Sequence, residues 1–194
     1  MRPTSIVAIV ALAFLSAFAA CGGGVSSEED AKKAYMGLDP SVDKAIQLGF
    51  DGYNEVGGAP GANIASQGAD GGVSGTLAVA GQVDNGASSN KTMRLNETLS
   101  NYSDNGQVTY GTDQNALPAL TMNLKNIPTG TLDGTLSGSF MMSGQLTGQV
   151  SLALTFAGQL EAAADGGVQR KAGTTHITGT ATSPAGTYNV DLTR

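Results

Sequence analysis

From Val73 onward, apolar and polar residues alternate with a period of two, as in strands with one buried and one wet face. Leu77, Val79 and Val83 alternate with Thr76, Ala78 and Gln82, and Met93, Leu95 and Leu99 with Arg94, Asn96, Thr98 and Ser100. The stretch SDNGQVTY predicts a turn at Asp104-Asn105-Gly106 leading into Val108 and Tyr110, and Leu120, Met122 and Leu124 alternate until Pro128 ends the run. The longest pattern runs from Thr131 to Glu161. Its even positions hold Leu132, Leu136, Phe140, Met142, Leu146, Val150, Leu152, Leu154, Phe156 and Leu160, and its odd positions hold mainly Ser, Thr, Gln and Asp. About thirty residues is several strand lengths, so this segment must be at least a hairpin. A three-residue turn such as Ser143-Gly144-Gln145 would pair Met142 with Leu146 and keep the even positions on one face. Two further strands are expected around Ile177 and around Tyr188, Val190 and Leu192.

The period before Val73 is different. Ala31, Ala34, Tyr35 and Leu38 fall on one helical face, with Ser27 and Asp30 spaced as a capping box. Asp39-Pro40 restarts the pattern, Asp39 as a cap and Pro40 in the first turn, and Val42, Ala45, Ile46, Gly49, Phe50 and Tyr53 form a second stripe. Gly57 to Gly72 is rich in Gly, Ala, Asn and Ser without periodicity and reads as a loop. The expected fold is mainly β: an antiparallel sheet of about eight strands, curved into a barrel, half-barrel or sandwich, with a short N-terminal helical segment. The expected organisation is residues 1–20 as a signal peptide, 21–26 as a flexible tether, 27–56 as the helical segment, 57–72 as a Gly-rich loop and 73–194 as the β domain.

The N-terminus carries the most specific signal. Arg2 precedes an uncharged, mostly apolar run from Ile6 to Phe18, too short to span a bilayer and followed by small residues. The single cysteine, Cys21, comes directly after Ala19-Ala20. Phe18-Ala19-Ala20-Cys21 resembles the lipobox of bacterial lipoproteins, with Phe18 where that pattern prefers Leu. The resemblance implies cleavage between Ala20 and Cys21, acylation of Cys21, and attachment to a membrane of the cell envelope. Gly22, in place of an Asp after the cysteine, points to the outer membrane. An ordinary secretory signal that leaves Cys21 as a free thiol also fits these residues, although a free exported thiol is unusual. The resemblance ends with the signal and carries no information about the domain behind it.

Composition narrows the function classes. The chain has 16 acidic and 10 basic side chains and no basic run, which disfavours nucleic acid as a partner. With one cysteine, the fold must be held by packing and backbone pairing. The single histidine, His176, has the parity opposite to Ile177 and should face solvent, and no serine lies in a nucleophile elbow. Asp84-Asn85 and Asp104-Asn105 offer oxygens for calcium, but each precedes Gly as turn residues do. No catalytic, cofactor-binding or metal-binding residue is assigned.

The sequence ADGGV occurs at 69–73 and 164–168 and reads as a reused turn. Gly134, Gly138, Gly144, Gly148 and Gly158 share the parity of the leucines. They imply either a bent sheet with the helical segment packed on it, or an apolar surface with room for a lipid. The expected function is a lipid-anchored envelope protein with a non-enzymatic structural or interaction role. The alternative is a carrier of an apolar ligand.

Overall fold

The computed structural model describes residues 23–84, 87–164 and 166–194; Ala20 and Cys21 lie outside them. Two helices, α1 (Glu28–Met36) and α2 (Asp39–Glu55), precede ten strands. These are β1 (Ala62–Asp70), β2 (Ser74–Asp84), β3 (Lys91–Ser103), β4 (Val108–Gly111), β5 (Ala119–Lys125), β6 (Thr131–Gly144), β7 (Gly148–Ala162), β8 (Val168–Arg170), β9 (His176–Ser183) and β10 (Gly186–Thr193). All strand pairs are antiparallel and form one sheet in the order β1-β2-β3-β4-β6-β7-β9-β10. β5 pairs with β3 and β6, and β8 pairs with β7.

The ten segments, where about eight strands were expected, occupy eight positions in the sheet, one of them taken by β1 from the expected loop. β4 and β5 lie end to end between β3 and β6, and β8 and β9 share the place beside β7. The alternation places Leu77, Val79, Val83, Met93, Leu95, Leu120, Met122, Leu136, Phe140, Val150, Leu154, Phe156 and Ile177 in one core. A register shift opposite Gly75 inverts the parity of β3, so Tyr102 also turns inward.

The helices follow their predicted stripes. Ser27 caps α1 by accepting from Asp30 N, while the Asp30 carboxylate accepts from Ser26 N and Oγ, one residue earlier than a strict capping box. α2 packs on β1, β2, β3 and β8, and α1 packs on β10. The close approach of helix and sheet depends on glycines of α2, not of the strands. A Cβ on Gly52 would lie 2.9 Å from Ile64 Cβ, and one on Gly49 would lie 3.0 Å from Met93 Sδ. The strand glycines instead accommodate neighbouring segments: Gly138 abuts Pro118, and Gly158 abuts Thr175.

Three expectations need correction. The expected loop 57–72 contains β1, in which only Ala62 and Ile64 are buried; the remainder is polar or small, so no apolar alternation marked it. The β6–β7 turn pairs Met142 with Gly148, not with Leu146; five residues separate them, still an odd number, so the even parity survives. Leu146 bridges Gly23 instead.

The described part of the expected tether, residues 23–26, is fastened to the sheet. Thr147 N donates to Gly23 O at 3.1 Å, Ser183 Oγ donates to Val25 O at 2.6 Å, and Val25 is fully buried. Both copies of ADGGV connect paired strands, β1 to β2 and β7 to β8. Burying a valine contributes about 1.5–3 kcal/mol. A chain starting at Ser27 is therefore expected to be less stable than one starting at Gly23 by about that amount, read as a lower urea midpoint.

Candidate functional site

The densest polar cluster lies where the strand position beside β7 is split. β8 ends at Arg170, and the chain bends through 171–175 before β9. Arg170 has a side chain only 5% exposed, inside a ring of acceptors from the helices. Its Nε donates to Asp43 Oδ1 at 2.7 Å and Nη1 to Asp39 Oδ1 at 2.9 Å. Its Nη2 donates to Asp43 Oδ2 at 2.8 Å and to Asp39 O at 3.0 Å, and Nη1 also reaches the Tyr35 oxygen at 3.5 Å. These bonds engage all three guanidinium nitrogens. Asp39 further accepts from Tyr35 O–H at 2.6 Å and from Arg194 Nε at 3.2 Å. Asp39 was expected to cap α2, but the N-cap is Leu38, without a side-chain bond, and the Asp39 carboxylate points into the cluster.

Burial alone would raise the Asp39 carboxyl, but the Arg170 charge and the bonds from Arg170, Tyr35 and Arg194 outweigh it and hold it below the usual carboxylate range. Burial, reinforced by the Asp39 charge, pushes the Tyr35 hydroxyl well above its ordinary value. Burial opposes the Arg170 charge, yet Asp43 and Asp39 more than offset it and raise that group. These shifts keep Asp39 and Arg170 charged and Tyr35 neutral around pH 7, so the cluster is matched to a fixed ion pair and not to proton transfer.

Lys44 fastens the other flank of α2. Its Nζ donates to Asp104 Oδ1 and to Asp70 O at 2.9 Å, and lies 5.2 Å from the centre of the Tyr102 ring. Asp104 also accepts from Tyr102 O–H and from Gly72 N, which commits one of the suggested calcium ligands to joining two turns. Asp84 accepts from Arg94, and Asn85 lies outside the described residues. Among the described residues, no group of three His, Cys, Asp or Glu is placed to hold a metal ion, and no helix is long and apolar enough to cross a membrane. His176 is exposed, as its parity predicts, and its Nε2 lies 2.8 Å from Asp191 Oδ1.

A further buried ionisable residue was missed in the sequence. Glu97 lies in β3 opposite the break between β4 and β5, where its N–H donates to Pro118 O. Its side chain has 0% exposure, and neither carboxylate oxygen has a hydrogen-bond partner. The signal was parity: Glu97 continues the inward series Met93, Leu95 and Leu99. Burial pushes its carboxyl up to about 7. Tyr102 feels the Glu97 charge, but the Tyr102 hydroxyl is already bound to Asp104.

Several clefts open on the surface. One of about 480 Å³ beside the cluster is lined by Arg170, Lys171, Thr175 and Arg194, and one of about 370 Å³ by Lys33, Met36, Asn105, Gln145 and Arg194. A third, of about 390 Å³, lies between Val25, Thr147 and Pro184. Thr175 Oγ1 is buried without a partner and is packed against Gly158. Comparison with protein-family models, curated proteins and solved structures gives no match.

Arg170→Met should cost about 3–5 kcal/mol in urea unfolding, because it leaves Asp39 charged and buried. Adding Asp39→Asn should recover part of that loss. Glu97 works in the opposite sense to Asp39. The unfolded chain releases the Glu97 proton near pH 4.5 and the folded chain near 7, so stability falls as pH rises between these values. The loss is about 3 kcal/mol, at about 1.4 kcal/mol per pH unit. Glu97→Gln is expected to flatten urea midpoints across this window and to exceed the wild type at about pH 8.

Proposed function

We propose that this chain is a lipid-anchored protein of the bacterial cell envelope that acts through its structure and its contacts, without catalysis and without carrying a ligand. The anchor is Cys21, the sulfur nucleophile that ends the lipobox-like Phe18-Ala19-Ala20-Cys21. Gly22 favours the outer membrane.

The observation that carries the choice between a structural protein and a carrier is the seat of α2. A carrier needs its apolar sheet face free for the ligand. Here Val42, Ala45, Ile46 and Gly49 are buried, with Gly49 against Met93 and Leu95 and Gly52 against Ile64. The chain's own helix takes the place a ligand would need. In this reading the sheet is an open half-barrel wrapped around the helical segment. α2 touches β1, β2 and β3 at one end of the strand order and β8 near the other, with α1 beside β10.

The absence of a catalytic role is supported by how the polar groups are used. The Arg170 cluster is internally satisfied, Glu97 is sealed in the core, and His176 pairs with Asp191 on an exposed strand pair.

Metabolic labelling with a fatty-acid analogue tests the anchor. The wild-type chain should take up label and begin at Cys21 after processing, whereas Cys21→Ser should take up none and keep its strand-rich circular dichroism. An unlabelled wild type whose Cys21 reacts with thiol reagents would favour the ordinary secretory signal. Organic extraction of the domain should yield no stoichiometric lipid; finding one would reinstate the carrier.

A further inference from the structure

We propose that the end of the molecule built from residues 23–26, the β6–β7 turn and the β9–β10 turn is the face that lies against the lipid headgroups. This rests on the reading that Cys21 is acylated, and it adds an orientation to that reading.

The first argument is reach. Gly23 is held by Thr147 N, and Val25 is buried and held by Ser183 Oγ at 2.6 Å. An extended chain advances at most about 3.6 Å per residue, so the Cα of Cys21 lies within about 7 Å of that of Gly23. Acyl chains on Cys21 start at the membrane interface. A leash this short cannot let the domain tumble freely, and it carries the two turns that hold Gly23 and Val25 to the surface with it.

The second argument is chemistry. The chain as a whole has a net charge of −6, which anionic headgroups repel. Residues 141–149 and 180–190, which form the two turns and their flanking strand ends, contain no Asp, Glu, Lys or Arg. The cleft of about 390 Å³ between them, bounded by Val25, Thr147, Gly148, Gln149, Pro184 and Ala185, is likewise uncharged along its whole lining. Met141 is 54% exposed at the same end of β6. Tyr188 is half-buried and donates its hydroxyl hydrogen to Ala185 O, with the amphipathic character suited to an interface. Acids of neighbouring segments are partly engaged: Asp30 by Ser26, Glu28 by Asn189, Glu29 by Lys33, and Asp104, which shares a cleft with Gln145 and Leu146, by Lys44.

Energy transfer in vesicles tests the orientation. The acylated full-length protein is reconstituted in phosphatidylcholine–phosphatidylglycerol vesicles that carry acceptor dye on the headgroups. Donor dye is placed on Gln145→Cys, Ala185→Cys or Thr129→Cys, all exposed positions. Thr129 precedes the far end of β6, a strand of 14 residues that spans up to about 45 Å. Donors at 145 and 185 should be quenched severalfold more than the donor at 129. Acylated protein with equal quenching at the three sites overturns the proposed face while leaving the anchor intact. Protein whose mass lacks the acyl chains overturns the anchor, and the face with it.

Discussion

Asp39 is the point on which the arrangement of helices and sheet depends. Its carboxylate accepts from Tyr35 of α1, from Arg170 at the end of β8 and from Arg194 at the C-terminal residue, while its backbone carbonyl accepts from Arg170 as well. The junction of α1 and α2 and two segments more than a hundred residues away thus meet on one residue at the start of α2. A buried ion pair returns little net stability over apolar residues of the same volume, because desolvation consumes most of the Coulombic gain. What it supplies is geometry. Apolar contact between α2 and the sheet is non-directional, whereas the paired bonds from Arg170 to Asp43 fix the rotation of the helix, and Lys44 repeats the constraint on the opposite flank.

Two of the buried ionisable residues, Arg170 and Glu97, occur at the two places where a strand position is divided between two segments. A break in a ladder leaves backbone groups that need partners. At the β8–β9 break, Lys171 N bonds Gln159 O and Thr174 Oγ1 accepts from Gln159 N. At the β4–β5 break, Thr112 and Pro118 partner Leu99 and Glu97. The outcomes differ in the side chains. Arg170 is surrounded by carboxylates from α2, so its charge is compensated. Glu97 faces the core with no donor, so it is held as the neutral acid across much of the acidic range.

Much of this was written in local pattern. Alternation with period two is a property of neighbouring residues, so the inward faces of β2, β3, β5, β6 and β7 and the stripes of α1 and α2 could be read directly. β1 could not, because only Ala62 and Ile64 of its nine residues are buried, and its pairing is supplied by β2. The fastening of residues 23–26 was equally hidden: their Gly and Ser composition suits a tether, and the partners that fix them, Thr147 and Ser183, lie more than a hundred residues away. Asp39 beside Pro40 has every local mark of a cap, and its real partners are distant too. Glu97 is a different case. Its inward parity was visible in the series 93, 95, 97 and 99, but charge in a strand is read by default as solvated.

The same logic bears on function. The ends of the strand order, β1 and β10, are where an open sheet would recruit another chain. α2 lies against β1, and α1 lies against β10, where Glu28 accepts from Asn189. The helical segment therefore occupies the apolar face and also lies beside both terminal strands. In the proposed lipid-anchored reading, this arrangement separates the tasks. The fold is completed internally by α1 and α2, the proposed attachment at Cys21 precedes the sheet, and the polar outer faces of the strands are left as surface for contacts with other molecules.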